Sequence, residues 1–294
     1  MDTRPQIVNA VDELSLVGPI SATMLRDLPR ATAIRRLLVT ADKASGAQGL
    51  TQIFTAAIAR GLAGLCSVDQ LWLWLEATPA ALRHVFAIPG LRVLDVMGIA
   101  HPGQLAGFAD TEIEQFRCNS GTGGVGLRES DFIEIAKSTR LKELGAHSSK
   151  ISLRAMAGII AMPQLQSLDL EDSCFDDAMA TLLKNNTSLH SLDLGLTKLS
   201  GKGLAQICSM KNLRSLDLWA SRITQDDLDL LAGLPLEYLS IGQVDDERFP
   251  RFSINTVMKK LATLPALKRI WLDGLELNAE HLAEFKRRKI SVRQ

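Results

Sequence analysis

Apolar residues recur in this chain in a fixed frame. Leu165-Gln-Ser-Leu-Asp-Leu170, Leu189-His-Ser-Leu-Asp-Leu194 and Leu213-Arg-Ser-Leu-Asp-Leu218 begin 24 residues apart. The first half of each frame alternates, which is the period of a strand: Leu168 and Leu170 turn one way, while Ser167, Asp169 and Glu171 turn the other. A hydroxyl follows at the ninth position (Ser173, Thr197, Ser221) and an apolar residue at the eleventh (Phe175, Leu199, Ile223). The second half has helical spacing, with Leu204 and Ile207 after Ser200, Leu228 and Leu231 after Thr224, and Leu282 and Phe285 after Asn278. Each helix is expected to open on a side chain that can accept an orphan backbone N–H. Ser21, Ser152, Asp176, Ser200, Thr224, Ser253 and Asn278 fill that place, and Pro235 and Pro265 end two of the helices.

The frame extends over nearly the whole chain. It begins at Val11, Ile34, Val68, Leu91, Ile113, Leu141, Leu165, Leu189, Leu213, Leu236 and Leu267, which makes eleven units, and Ile290-Ser-Val292 offers a last short strand. Three units are lengthened, by Asp42–Gly49, Asn119–Gly126 and Gly242–Pro250. Each insertion leaves the C-terminal end of a strand, so all three are expected on one edge of the sheet. A fixed period of this length means a solenoid, in which each unit buries its apolar face against its neighbours.

One strand and one helix per unit resembles the leucine-rich-repeat family, in its helix-bearing, ribonuclease-inhibitor-like or GALA-like class. The resemblance implies an α/β solenoid shaped as a horseshoe, with a parallel sheet on the concave side and helices on the convex side. Residues 1–294 would form a single leucine-rich-repeat domain. The family usually carries Asn or Cys at the ninth position, where this chain has Ser149, Ser173, Thr197 and Ser221. A hydroxyl satisfies fewer backbone groups than an amide, so a weaker ladder is expected.

Composition narrows the function more than the fold. Lys plus Arg and Asp plus Glu are both 33, so the net charge is zero, without the basic excess of a nucleic-acid or anionic-membrane binder. The four cysteines, Cys66, Cys118, Cys174 and Cys208, have no disulfide or metal spacing. No leader-like start and no apolar run of about 20 residues is present, so a soluble cytoplasmic protein is expected. Gly121-Thr-Gly-Gly-Val-Gly126 lacks the Lys-Ser/Thr of a phosphate loop and reads as a flexible insertion. The five histidines are scattered through different units. His147 faces outward near Glu171, but no nucleophile or oxyanion element accompanies it. No catalytic residue, cofactor site or metal site is assigned.

The outward fifth and seventh positions hold all four tryptophans: Trp72, Trp74, Trp219 and Trp271. Three zones are expected: an apolar one with Leu38, Trp72, Trp74, Leu75, Val93 and Met97, an acidic one with Asp169, Glu171, Asp172, Asp193 and Asp217, and an aromatic one with Trp219, Tyr238 and Trp271. Exposed aromatics mark binding surfaces. Two other readings stand beside this. Ser-Leu-Asp-Leu is common repeat filler, so the Asp column also reads as a solvated face. The first insertion or a second copy of the chain could cover the Trp72/Trp74 pair. The expected function is a non-enzymatic module gripping one protein partner, as a monomer or weak homodimer, with Trp72, Trp74, Met97, Asp169, Glu171, Asp193, Asp217, Trp219, Tyr238 and Trp271 as its contact residues. A bacterial immunity or inhibitor protein against a toxin is the sharper form, and a secreted effector or signalling adaptor binding a host regulator is the alternative.

Overall fold

The computed structural model describes residues 6–10, 13–18, 20–21, 34–40, 53–63, 67–99, 103–119, 126–246 and 249–294. The insertion 42–49, most of the glycine-rich insertion, Cys66, His101 and the helix expected after Ser21 lie outside the described residues. The chain forms two compact units, residues 1–145 and 146–294. The division falls inside a strand, Glu143–Ala146, and not at a linker.

The first unit runs β1 (Gln6–Ala10), β2 (Glu13–Val17), β3 (Ile34–Thr40), β4 (Ile53–Phe54), α1 (Ala56–Ala63), β5 (Val68–Trp74), β6 (Glu76–Ala77), α2 (Pro79–Phe86), β7 (Val93–Val96), β8 (Gln115–Cys118), α3 (Glu129–Ile135) and β9 (Glu143–Ala146). Strands β2, β3, β5, β7 and β8 are parallel neighbours, and their registers place Leu14, Leu37, Leu71, Leu94 and Phe116 in one row. These are the fourth positions of the first five frames, and all five side chains are buried. The sheet is not parallel throughout, because β1 pairs antiparallel with β2. That pairing covers the backbone edge the first repeat would otherwise leave open. The frame also does not foresee a second, two-stranded sheet of β4 and β6.

The second unit contains α4 (Leu153–Ile160), β10 (Ser167–Asp169), α5 (Asp177–Ala180), β11 (Ser191–Asp193), α6 (Gly201–Ile207), β12 (Ser215–Asp217), β13 (Tyr238–Gly242), α7 (Ile254–Leu261), β14 (Arg269–Asp273), α8 (Ala279–Arg287) and β15 (Ser291–Arg293). The six strands are parallel, and Leu168, Leu192, Leu216, Leu239, Ile270 and Val292 form one row. This is the α/β leucine-rich-repeat solenoid arrangement: a parallel strand and a helical or turn segment alternate, with the apolar rows shared between repeats. The strand expected at Ile290–Val292 is β15.

The helix starts follow the expected side chains where a short polar group can fold back. Ser152 Oγ accepts from Ala155 N at 3.1 Å, Asp176 Oδ1 from Met179 N at 3.0 Å, and Asn278 Oδ1 from His281 N at 2.9 Å. Ser253 precedes α7 without a side-chain cap. The segment after Thr224 is not an α-helix but a 3-10 helix, Asp227–Leu231. Asp226, Asp227 and Asp229 crowd that short stretch with acids, and Ala232 leaves helical backbone after Leu231.

The ninth-position hydroxyls are all buried. Thr197 Oγ1 donates to Leu194 O at 2.7 Å and Ser221 Oγ to Leu218 O at 2.8 Å, so each closes the turn of its own repeat. One place earlier, Ser148, Asp172, Leu196 and Ala220 have φ of 51°, 53°, 54° and 48°, and Gly18, Gly98 and Gly274 occupy the same frame position with positive φ. The chain leaves each of these strands through a left-handed residue, which costs a branched or bulky side chain about 1 kcal/mol. Leu196→Gly is therefore expected to raise stability by about 0.5–1 kcal/mol in urea titration. A loss of stability of that size would show that the Leu196 side chain packs for more than its backbone strain.

Candidate protein-binding site

None of the four tryptophans is buried. In the first unit, Trp74 and Met97 are 43% and 46% exposed, and Trp72 and Leu38 are half-buried. Leu75, expected beside them, is buried: the alternation of β5, carried one residue past Trp74, turns Leu75 into the core. Next to Trp72 in register stands Asp95, itself buried and accepting from Asn119 Nδ2 at 3.2 Å.

The second unit gathers more chemistry. Asp169, Asp193 and Asp217 stand directly beside one another on β10, β11 and β12 because the repeats are in register. Each fixes itself locally, with Oδ1 accepting the backbone N–H two residues on: Glu171 at 3.0 Å, Gly195 at 3.0 Å and Trp219 at 2.8 Å. Like charges directly opposite in a sheet repel. The column answers this differently at each strand. At Asp169, His147 Nε2 lies 2.6 Å from Oδ2, and His147 Nδ1 lies 3.2 Å from Glu171 Oε2. These two bonds push the imidazole up to about 10, so His147 is a cation at neutral pH.

At Asp193 no cation is paired among the described residues. Burial, then the Asp217 and Asp169 carboxylates, push the Asp193 carboxyl up to about 8. Asp217 is raised as well, chiefly by burial, while the Trp219 N–H and the nearby Ser240 hydroxyl pull it back. Ser240 Oγ, fully buried, makes no hydrogen bond of normal geometry among the described residues.

Glu171, Asp193, Asp217, Trp219 and Trp271 line a cavity of about 280 Å³. Trp219 reaches it by crossing a strand: its Nε1 donates to Asp273 Oδ2 at 2.9 Å, over Gly242 of the intervening β13. A Cβ on Gly242 would lie 2.6 Å from Trp219 Cδ1 and 2.8 Å from Asp273 O. Trp271 has the Arg293 guanidinium 5.0 Å from its ring centre, and its own Nε1 is buried without a hydrogen-bond partner among the described residues. Tyr238, half-buried, carries Arg269 5.4 Å over its ring and is not part of the cavity lining.

His147, Asp169 and Glu171 could each turn a ligand atom to a metal ion, since those atoms lie within 4.8 Å of one another. The chemistry of the donor set favours a different use. Both ring nitrogens already hydrogen-bond carboxylates, and a metal requires the neutral imidazole. The triad is an ion-paired cluster in which the cation stays on the ring.

Of the expected contact residues, the structure brings Glu171, Asp193, Asp217, Trp219 and Trp271 to one cavity, with Asp169 beside it through His147. Trp72, Trp74 and Met97 form a separate patch in the first unit. Sequence reasoning passed over Gly242, Asp273 and Arg293 as functional. Gly242 and Asp273 stand in the seventh column, and Arg293 lies one residue past the strand expected at Ile290–Val292, but a side chain's reach across a strand depends on the residue beneath it, and a periodic pattern does not carry that.

No family model matches the sequence, and no curated protein matches it. Among solved structures, an internalin from Listeria monocytogenes str. 4b F2365 aligns with 96% of this chain and 86% of its own, at 14% identity and a TM-score of 0.44. The actin-binding site 2 of leiomodin-1 aligns with 54% of this chain and 86% of its own, at 16% identity and a TM-score of 0.33. No helix among the described residues is long and apolar enough to cross a membrane. The fold assignment rests on the repeat register itself.

Proposed function

We propose that this chain is a non-enzymatic module that binds a protein partner through the outward face of its sheet, with the cavity of the second unit as the anchor. The observation that carries the reading is the placement of Trp219 and Trp271. Both indoles stand on the outward face beside carboxylates, although the core of the same strands is filled by Leu and Ile. Trp and Tyr in such positions dominate binding energies because they bury large areas at low entropic cost. The zero net charge speaks for a protein rather than a nucleic acid. The finer form of the reading is an inhibitor or immunity protein acting in the cytoplasm.

Affinity capture with the full chain tests it. Trp219→Ala combined with Trp271→Ala is expected to lose the captured protein by about 100-fold or more while the thermal transition stays cooperative, since a hot-spot residue typically contributes upward of 2 kcal/mol. Capture at undiminished affinity by the folded double variant would refute the reading. Identification of the captured protein as a toxin would carry the finer form.

A further inference from the structure

We infer that the cavity of the second unit receives the guanidinium of an arginine from the partner protein. This deepens the protein-binding reading and rests on it.

Two observations select that group. The first is charge. Asp193 and Asp217 sit side by side on adjacent strands, and neither has a cationic partner among the described residues. Asp193 Oδ1 is occupied by the Gly195 N–H, and among the described residues its Oδ2 takes no hydrogen bond. The neighbouring acid of the same column is compensated, Asp169 by His147. A cation at Asp193 and Asp217 completes the column.

The second observation is shape. In-register residues on adjacent strands are separated by roughly 4.8 Å, a span that a planar guanidinium bridges with a rigid fork of N–H donors, where a compact ammonium offers only a point charge. The side walls are indoles, on which a guanidinium stacks. The protein already uses this contact internally, with Arg293 5.0 Å from the Trp271 ring centre and Arg269 5.4 Å from that of Tyr238.

The test uses the full-length chain labelled with nitrogen-15, whose four indole N–H resonances are assigned by single Trp→Phe variants. Three capped tripeptides are titrated: Gly-Arg-Gly, its citrulline counterpart and its lysine counterpart. Citrulline keeps the shape of arginine and removes the charge. The arginine peptide is expected to shift the Trp219 and Trp271 resonances saturably, with a Kd in the millimolar range, and to leave those of Trp72 and Trp74 in place. Citrulline should bind at least about tenfold more weakly, and Asp193→Asn with Asp217→Asn should weaken arginine by at least about tenfold. Because the Asn side chains keep the local cap to the N–H two residues on, an unchanged pattern of core amides will show that this variant is folded. Equal binding of arginine and citrulline, tighter binding of lysine, or no saturable shift up to about 20 mM overturns the assignment. The two readings fail separately. If the Trp219→Ala, Trp271→Ala variant loses its protein partner but the arginine peptide does not bind, the module stands and the guanidinium assignment falls. If the peptide binds while that variant still captures the partner, the cavity is a cation site outside the interface.

Discussion

Gly242→Ala is expected to lower stability by about 1–3 kcal/mol and to dislodge Trp219 from the cavity wall. The added methyl would approach Trp219 Cδ1 to 2.6 Å and the backbone oxygen of Asp273 to 2.8 Å. The indole can yield by rotating away, which gives up its hydrogen bond to Asp273 at 2.9 Å. The Asp273 carbonyl belongs to β14, which pairs with β13, and yields only if the strand shifts. Gly195 supplies the control, since it holds the same column position one repeat before Trp219. A Cβ there meets nothing closer than 3.4 Å, and its backbone is not left-handed. Gly195→Ala should therefore raise stability by about 0.5 kcal/mol by restricting the unfolded chain. Urea titration of both variants reads the two signs, and the Trp219 indole resonance reads the displacement. Equal stabilities for the two variants, with that resonance unmoved, would mean the strand crossing has slack that the packing does not indicate.

The second large effect is electrostatic and depends on pH. The folded Asp193 carboxyl titrates at about 8, mainly because it is buried and secondly because Asp217 and Asp169 lie beside it. The same carboxyl in the unfolded chain titrates near 4. Between those values the folded protein holds a proton that the unfolded chain has released, so stability falls as pH rises through this window. Below about 4 the penalty is absent, and above about 8 it is complete. His147 acts in the same direction at higher pH. Its folded value is about 10, so its contribution is whole below its unfolded value near 6.5 and is lost as pH rises towards 10. Asp193→Asn removes the first effect alone. The variant is expected to exceed the natural protein in stability by about 2 kcal/mol at pH 8 and to match it near pH 4, a figure set well under the full shift because the site is open to water on one side. Urea titrations at the two pH values measure the gap. A gap that stays constant between them would place the Asp193 proton elsewhere.

The repeat frame was legible because burial enforces it. A one-residue slip would expose Leu168, Leu192 and Leu216 together, so the apolar rows read from the sequence are the rows found in each unit. The outward columns were legible for the same reason, including all four tryptophans. What escaped was set by geometry that apolar spacing does not encode. The left-handed eighth position is filled by glycine in some repeats but by Leu196 and Ala220 in others, so no residue type announces it. The segment at Asp227–Leu231 has the spacing of a helix but the tighter winding of a 3-10 turn. Leu75 was grouped with the outward residues, although the alternation carried one residue past Trp74 turns it inward, where it is buried. The cavity itself depends on Trp219 crossing a glycine to meet Asp273, a pairing 54 residues apart along the chain.

That crossing has a consequence for how the second unit comes apart. In a repeat array each repeat ordinarily holds only its immediate neighbours, and the ends fray one at a time. The bond from the β12 repeat to the β14 repeat bypasses the β13 repeat, so the terminal three are fastened together as a bracket fastens alternate rungs. They should open in a single step, and whatever sits against Trp219 would be released with them.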